Sequence, residues 1–170
     1  GSPFSELPER LIVVDVPRQR LAWIERRHAV AEYPVSTAAA GVGGATGSFM
    51  TPPGWHRVHR AIGAGAEAGA VFESREPTGA TWRGEPREDD LILTRVLTLE
   101  GLEDAVNRGA GVDSLERYIY IHGTNHEHAI GRPASHGCVR MTSAHVIDLF
   151  DRVREGDPVL ILGDDDGARA

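Results

Sequence analysis

The chain contains no lysine: all 18 of its basic residues are arginine. That absence excludes whole mechanisms. A P-loop needs a Lys on its phosphates, a PLP enzyme needs a Schiff-base amine, and a Ser-x-x-Lys acylase needs its own amine. The single cysteine cannot form an internal disulfide or a Cys-rich zinc cage, which leaves one thiol to explain. Long apolar runs are missing too. Leu11–Val14 and Val159–Leu162 are strand-sized, far short of a membrane span. No export signal is visible, but Gly1-Ser2 resembles a cloning remnant, so that absence carries no weight. With a net charge of -7, a pI near 5.6 and no clustered basic stretch, the chain offers no electrostatic footprint for nucleic acid or anionic lipid.

What is present suits one globular domain, because 170 residues are enough to bury a substantial core. Leu11–Val16 and Leu21–Glu25 read as two strands of a hairpin joined at Pro17-Arg18-Gln19-Arg20, with Ala29–Ser36 as a third strand. Thr37–Gly47 is an Ala/Gly-rich loop, Thr51-Pro52-Pro53-Gly54 is turn chemistry, and a strand restarts near Trp55. Gly63–Asp90 has little periodicity and reads as an ordered insertion or lid. Neither of its flanking glycine clusters has the spacing of a dinucleotide fingerprint. Apolar strands are predicted at Leu91–Leu97, Arg117–His122 and Pro158–Leu162. Val146, Leu149, Phe150 and Val153 fall on one helical face, with Thr142 or Ser143 as N-cap and Gly156 past the end. The sum is mostly β with one or two helices.

Titratable groups concentrate in one place. Five of the eight histidines, His122, His126, His128, His136 and His145, fall within 24 positions that also hold Cys138. Ser135-His136-Gly137-Cys138 places the thiol behind a glycine, in a turn whose backbone N–H groups can converge on the space the sulfur faces. His122, sixteen residues earlier at a strand end, is a candidate base, since thiolate rather than thiol is the nucleophile. A group near Gly123, its carbonyl in particular, would orient that imidazole.

These residues resemble a known family. Ile121-His122-Gly123-Thr124, followed by Pro133-Ala134-Ser135-His136-Gly137-Cys138-Val139-Arg140-Met141, looks like the signature of the YkuD-type L,D-transpeptidases, and Thr51-Pro52-Pro53-Gly54 resembles that family's TPxG turn. The resemblance implies a YkuD-like β-sandwich or barrel with the catalytic HGC loop preceding a helix. Carried over by position, Cys138 is the nucleophile, His122 its base and Gly123 the orienting carbonyl. His136, Gly137 and Cys138 supply the oxyanion hole, and the His136 side chain also lines the site. Arg140, Ser135, Thr124 and Asn125 are candidate substrate-binding residues. Arg140 would hold the loop or a substrate carboxylate, and Ser135 would also brace the turn. A depressed Cys138 pKa and acylation by carbapenems are expected. The implied reaction joins two peptidoglycan stem peptides through a Cys thioester, an acyl donor and an amine acceptor, in the periplasm or cell envelope and without a cofactor.

On this reading residues 1–10 form an arm, 11–162 the catalytic domain with 63–90 as insertion, and 163–170 a tail. Two features depart from the family pattern: His56 stands where an aromatic is common, and the insertion exceeds a minimal catalytic domain. One rival reading is a zinc hydrolase using His122, His126 and His128 with Cys138, although Gly123-Thr124-Asn125 argues against the helix that this His spacing needs. Another is a wall-binding module that keeps the fold without turnover. Trp23, Trp82, Tyr118 and Tyr120 are expected to pack in the core or lid, and His145 to sit at the surface.

Overall fold

The computed structural model describes residues 2–163. The first three strands form a meander: β1 (Arg10–Asp15), β2 (Arg20–Glu25) and β3 (His28–Pro34), paired antiparallel in sequence. β1 also pairs in parallel with β10 (Pro158–Leu162), the last strand, which pairs in turn with β4 (Gly54–Ile62). Next comes β7 (Ile92–Gly101), whose residues from Leu93 to Leu99 are all buried. β7 is the branch point of the fold. One side carries the hairpin β5 (Ala70–Glu73) and β6 (Glu76–Thr81), and the other carries β8 (Tyr120–Gly123) and β9 (Val139–Met141). The hydrogen-bonded path stays open, but one apolar cluster joins Ile12, Val14 and Trp23 to Leu97, Leu99, Ile121 and Val139. The two limbs of the sheet thus face each other across a shared core, as in a sandwich.

The single α-helix among the described residues, α1 (Ser143–Arg152), is capped by Thr142, whose side chain accepts from the His145 N–H. Its stripe of Val146 and Leu149 is buried in that same core, continued by Val153. A short 3-10 turn at Glu127–Ala129 is the other helical element.

The predicted elements lie close to the observed ones. Four adjustments are physical in origin. β7 runs four residues beyond Leu97, because Thr98 and Glu100 continue the ladder to β4 despite their polarity. The strand expected at Arg117–His122 begins only at Tyr120, since Arg117 and Tyr118 lie in a turn and Tyr118 has φ 58°. Gly63–Asp90, weak in periodicity, contains the β5–β6 hairpin, held mainly by backbone pairing. His145 is half-buried, with its ring 5.3 Å from that of Tyr33. The Gly1 end and residues 164–170, which hold most of the expected tail, lie outside the described residues. Within the expected arm, Phe4 packs edge-on against Trp55.

Candidate active site

β8 and β9 run parallel, so the chain must cross over between them, and the crossover 124–138 is the histidine-rich segment. Ile121 pairs with Val139 and His122 with Arg140. Alternation along the pair then puts Cys138, just before β9, on the same face as Tyr120, His122 and Arg140. The Cys138 Sγ accepts from the Tyr120 N–H at 3.3 Å and donates to the Tyr118 carbonyl at 3.4 Å.

His122 is buried, and its Nδ1 lies 2.6 Å from the Gly123 carbonyl. A carbonyl only accepts, so Nδ1 carries the hydrogen and Nε2 keeps its lone pair. Gly123 must be glycine: a Cβ there would stand 2.5 Å from the Leu93 carbonyl oxygen. The β7–β8 ladder breaks at this point, pairing Leu93 with Gly123 and then Val96 with His122. The intervening Thr94, fully buried with φ 78°, is held by Ser143 Oγ at 2.6 Å and by the Gly69 N–H. Such a bulge bends a strand and re-aims its neighbours.

The turn before Cys138 is braced rather than open. Ser135 Oγ donates to the Cys138 carbonyl at 2.7 Å and accepts from the Gly137 N–H at 3.2 Å, while Thr51 Oγ1 donates to the Gly137 carbonyl at 2.9 Å. The Gly137 amide, expected among the oxyanion donors, is directed at Ser135 Oγ within the loop. Thr51, from the Thr51-Pro52-Pro53-Gly54 turn, is a supporting residue that motif reading left without a role. His136 is exposed, and its ring sits 5.8 Å from Phe49 instead of on the cavity wall.

Arg140 is almost wholly buried. Its guanidinium pairs with Asp90 at 3.1 Å, donates to Ser36 Oγ at 3.1 Å and lies 3.4 Å from His126 Nδ1. Asp90 also accepts from Thr124 Oγ1 at 2.9 Å. Asn125 accepts from the Leu91 N–H and donates to the Asp89 carbonyl, and His126 Nε2 meets the Arg87 carbonyl. The segment 124–126 thus stitches down the returning leg of the insertion. The side chains of Thr124, Asn125 and Arg140 are engaged in that seam, and Ser135 braces its own turn. Asp90 was missed in the sequence because nothing marks one acid among the Glu-Asp-Asp run at its position.

Cys138 lies at the edge of a cavity of about 920 Å³. Arg60 and Ile62 of β4, the hairpin tip from Glu73 to Pro77, Tyr118 and Tyr120 complete much of its wall. The hairpin is tied in by a 2.8 Å hydrogen bond between Ser74 Oγ and the Tyr120 hydroxyl. Tyr120 and Trp23 are buried as expected, whereas Tyr118 is 57% exposed beneath the Arg75 guanidinium.

Desolvation pushes the Cys138 thiol up to about 11, partly offset by the Tyr120 N–H. The expected depressed value does not hold for this buried thiol. Burial also lowers His122, so thiol and imidazole are both neutral at pH 7. The zinc arrangement is not assembled: His122 Nδ1 is on a carbonyl, the His126 and His128 rings are 5.7 Å apart, and among the described residues no three such donors converge.

A neutral imidazole with one nitrogen tied to a carbonyl, and a thiol on the same sheet face beside a cavity, mark a cysteine-nucleophile domain. The chain belongs to the YkuD family of L,D-transpeptidase catalytic domains, whose family model matches residues 9–161. YqjB of Bacillus subtilis (strain 168) is 44% identical over 48 residues, which are 28% of this chain and 27% of YqjB. An L,D-transpeptidase from Mycobacterium smegmatis superimposes with a TM-score of 0.57 at 17% identity, covering 91% of this chain and 59% of that one. L,D-transpeptidase 3 from Mycobacterium tuberculosis, solved with a faropenem-derived adduct, gives 0.53 at 16% identity, covering 91% and 60%. This chain therefore spans well under two thirds of those solved enzymes.

Proposed function

We propose that this chain is the catalytic part of an enzyme of the cell envelope that cross-links peptidoglycan stem peptides through a Cys138 thioester. The observation that carries the reading is His122: its Nδ1–H on the Gly123 carbonyl leaves Nε2 as a lone pair on the sheet face that bears Cys138. Because the resting thiol is neutral, attack and deprotonation go together. Sγ forms its bond to the donor carbonyl as Nε2 takes the thiol proton, which His122 then returns to the departing amine of the terminal D-residue. The thioester next passes to an acceptor amine, which sheds a proton to His122. Positioned proton transfer of this kind is worth about 10²–10⁴-fold. With Gly137 committed to Ser135, the amide of Cys138 itself is the donor we assign to the oxyanion. The insertion hairpin, which walls the cavity at Glu73–Pro77, acts as the lid over the donor stem. Among the described residues no helix is long and apolar enough to cross a membrane.

Incubation with a disaccharide tetrapeptide and mass spectrometry of the products tests this. Wild type is expected to yield cross-linked dimer and Cys138→Ala none, a loss of at least about a thousandfold. A carbapenem should add one acyl mass to wild type and nothing to the variant. Product from Cys138→Ala, or its loss with a chelator, would overturn the thiol mechanism.

A further inference from the structure

Among the described residues, eight arginines meet a carboxylate: Arg10, Arg18, Arg57, Arg83, Arg87, Arg108, Arg140 and Arg152. Arg117 does not. Its half-buried guanidinium is held by neutral oxygens alone: the Met50 carbonyl at 2.7 Å, Gly44 at 3.3 Å, Gly43 at 3.4 Å and Ser48 Oγ at 3.5 Å. Desolvating a cation without an acid to pair it is costly, so a site that keeps one has a use for its charge. The place is specific. Arg117 precedes Tyr118, whose carbonyl receives the Cys138 Sγ–H, and its Nη2 stands 3.9 Å from where a Cβ on Gly137 would be. Arg95 is likewise held by carbonyls, but those of Ala66 and Thr94, with its guanidinium over Phe150 on another side of the sheet.

We propose that Arg117 is the uncompensated cation that stabilises negative charge as it develops at Cys138, a positioning residue for the reaction proposed above. The other charged groups around the thiol cancel. On β9, Arg140 is neutralised by Asp90 from the leg before β7. Across the cavity, Arg60 of β4 and Arg75 of the hairpin share the lining with Glu73 and Glu76, two charges of each sign. His122 on β8 is neutral and His136 is exposed beside Phe49. Arg117 is left as the net field, and its interaction with Cys138 is mutual: the thiolate favours the charged guanidinium. Holding it by carbonyls leaves its full charge in place, since neutral acceptors orient a cation without cancelling it.

The test uses the only thiol in the chain. Below its midpoint, alkylation of Cys138 by uncharged iodoacetamide proceeds in proportion to the thiolate fraction and is read by intact mass at pH 8. Arg117→Gln should slow it about tenfold, a shift of about one unit in the thiol midpoint. Arg117→Lys, which keeps the charge, should stay within about twofold of wild type. A purely structural role moves the rate the other way, because a loosened turn exposes a thiol now held up by burial and speeds its alkylation. An unchanged or faster Arg117→Gln, with circular dichroism native, overturns the proposal. So does Arg117→Lys slowing as much as Arg117→Gln. Should Arg117→Gln not fold, Arg117→Lys decides alone, a native variant slowed tenfold sinking the idea. The readout needs no stem peptide, so a failure of the proposed reaction shows separately, as cross-linking that survives Cys138→Ala.

Discussion

The meander β1–β3 and the limb β7–β9 share one core yet obey different rules. In the meander the register runs unbroken between β1 and β2 and shifts once between β2 and β3, at Trp23/Ile24, and residues with positive φ, Gln19, Arg26 and Arg27, sit only in the connecting turns. Around Cys138 the ladder is interrupted, and Phe49, Ser74, Thr94 and Tyr118 all hold positive φ. Three of these touch the site or its wall: Ser74 holds Tyr120, Thr94 makes the bulge beside Gly123, and Tyr118 receives the thiol, while Phe49 faces His136 in the turn before Cys138. One limb carries stability and the other stores strain where chemistry is placed.

Three experiments press on that contrast. Trp23, fully buried in β2 with Nε1 on Glu25, is the largest side chain of the meander core. Trp23→Ala should cost about 4 kcal/mol in urea unfolding while the folded fraction alkylates Cys138 at the wild-type rate; a changed rate would show the limbs to be coupled. His56 of β4, between the limbs, is buried between the Gly54 carbonyl and Ser114 Oγ, and desolvation lowers it to about 4. Its folded value lies below the unfolded one, near 6.5, so falling pH protonates the unfolded chain first. Stability is full above about 6.5 and is lost down to about 4, by about 3 kcal/mol. His56→Phe should flatten most of that slope in urea melts across this window, leaving the part due to His122, which is also lowered; an unaltered slope refutes the assignment. The smallest effect is at Phe49, exposed and left-handed beside His136. Phe49→Gly should raise stability by about 0.5 kcal/mol, relief of strain offset by glycine's entropy, and lower cross-linking turnover. Turnover at the wild-type level would free Phe49 of any part in the site.

The same contrast explains what could be read in advance. The meander, α1 and β10 announce themselves because period-2 and period-3.6 patterns, a Thr cap and a closing Gly are local signals. The thiol, His122 and the Gly123 carbonyl were legible from the motif. What was not legible depends on pairing between distant segments: the Asp90–Arg140 ion pair, the 124–126 seam on the insertion, the commitment of Gly137 N–H to Ser135, and the Arg117 cradle. The thiol's raised pKa was hidden for the same reason, because burial is a property of the assembled cavity. The second strand of the hairpin, Glu76–Thr81, is exposed and held by backbone bonds, and so leaves almost no hydrophobic pattern to detect.

The cations around Cys138 are guanidinium groups: Arg60 and Arg75 on the cavity wall, Arg117 at the turn and Arg140 beneath it. A guanidinium stays protonated and does not act as a nucleophile at neutral pH. An acyl group parked on the sulfur would thus have guanidinium groups near it and no side-chain amine able to intercept it. With no lysine, the chain cannot acylate its own side-chain amines, so a thioester formed at Cys138 would keep for whatever amine arrives from outside.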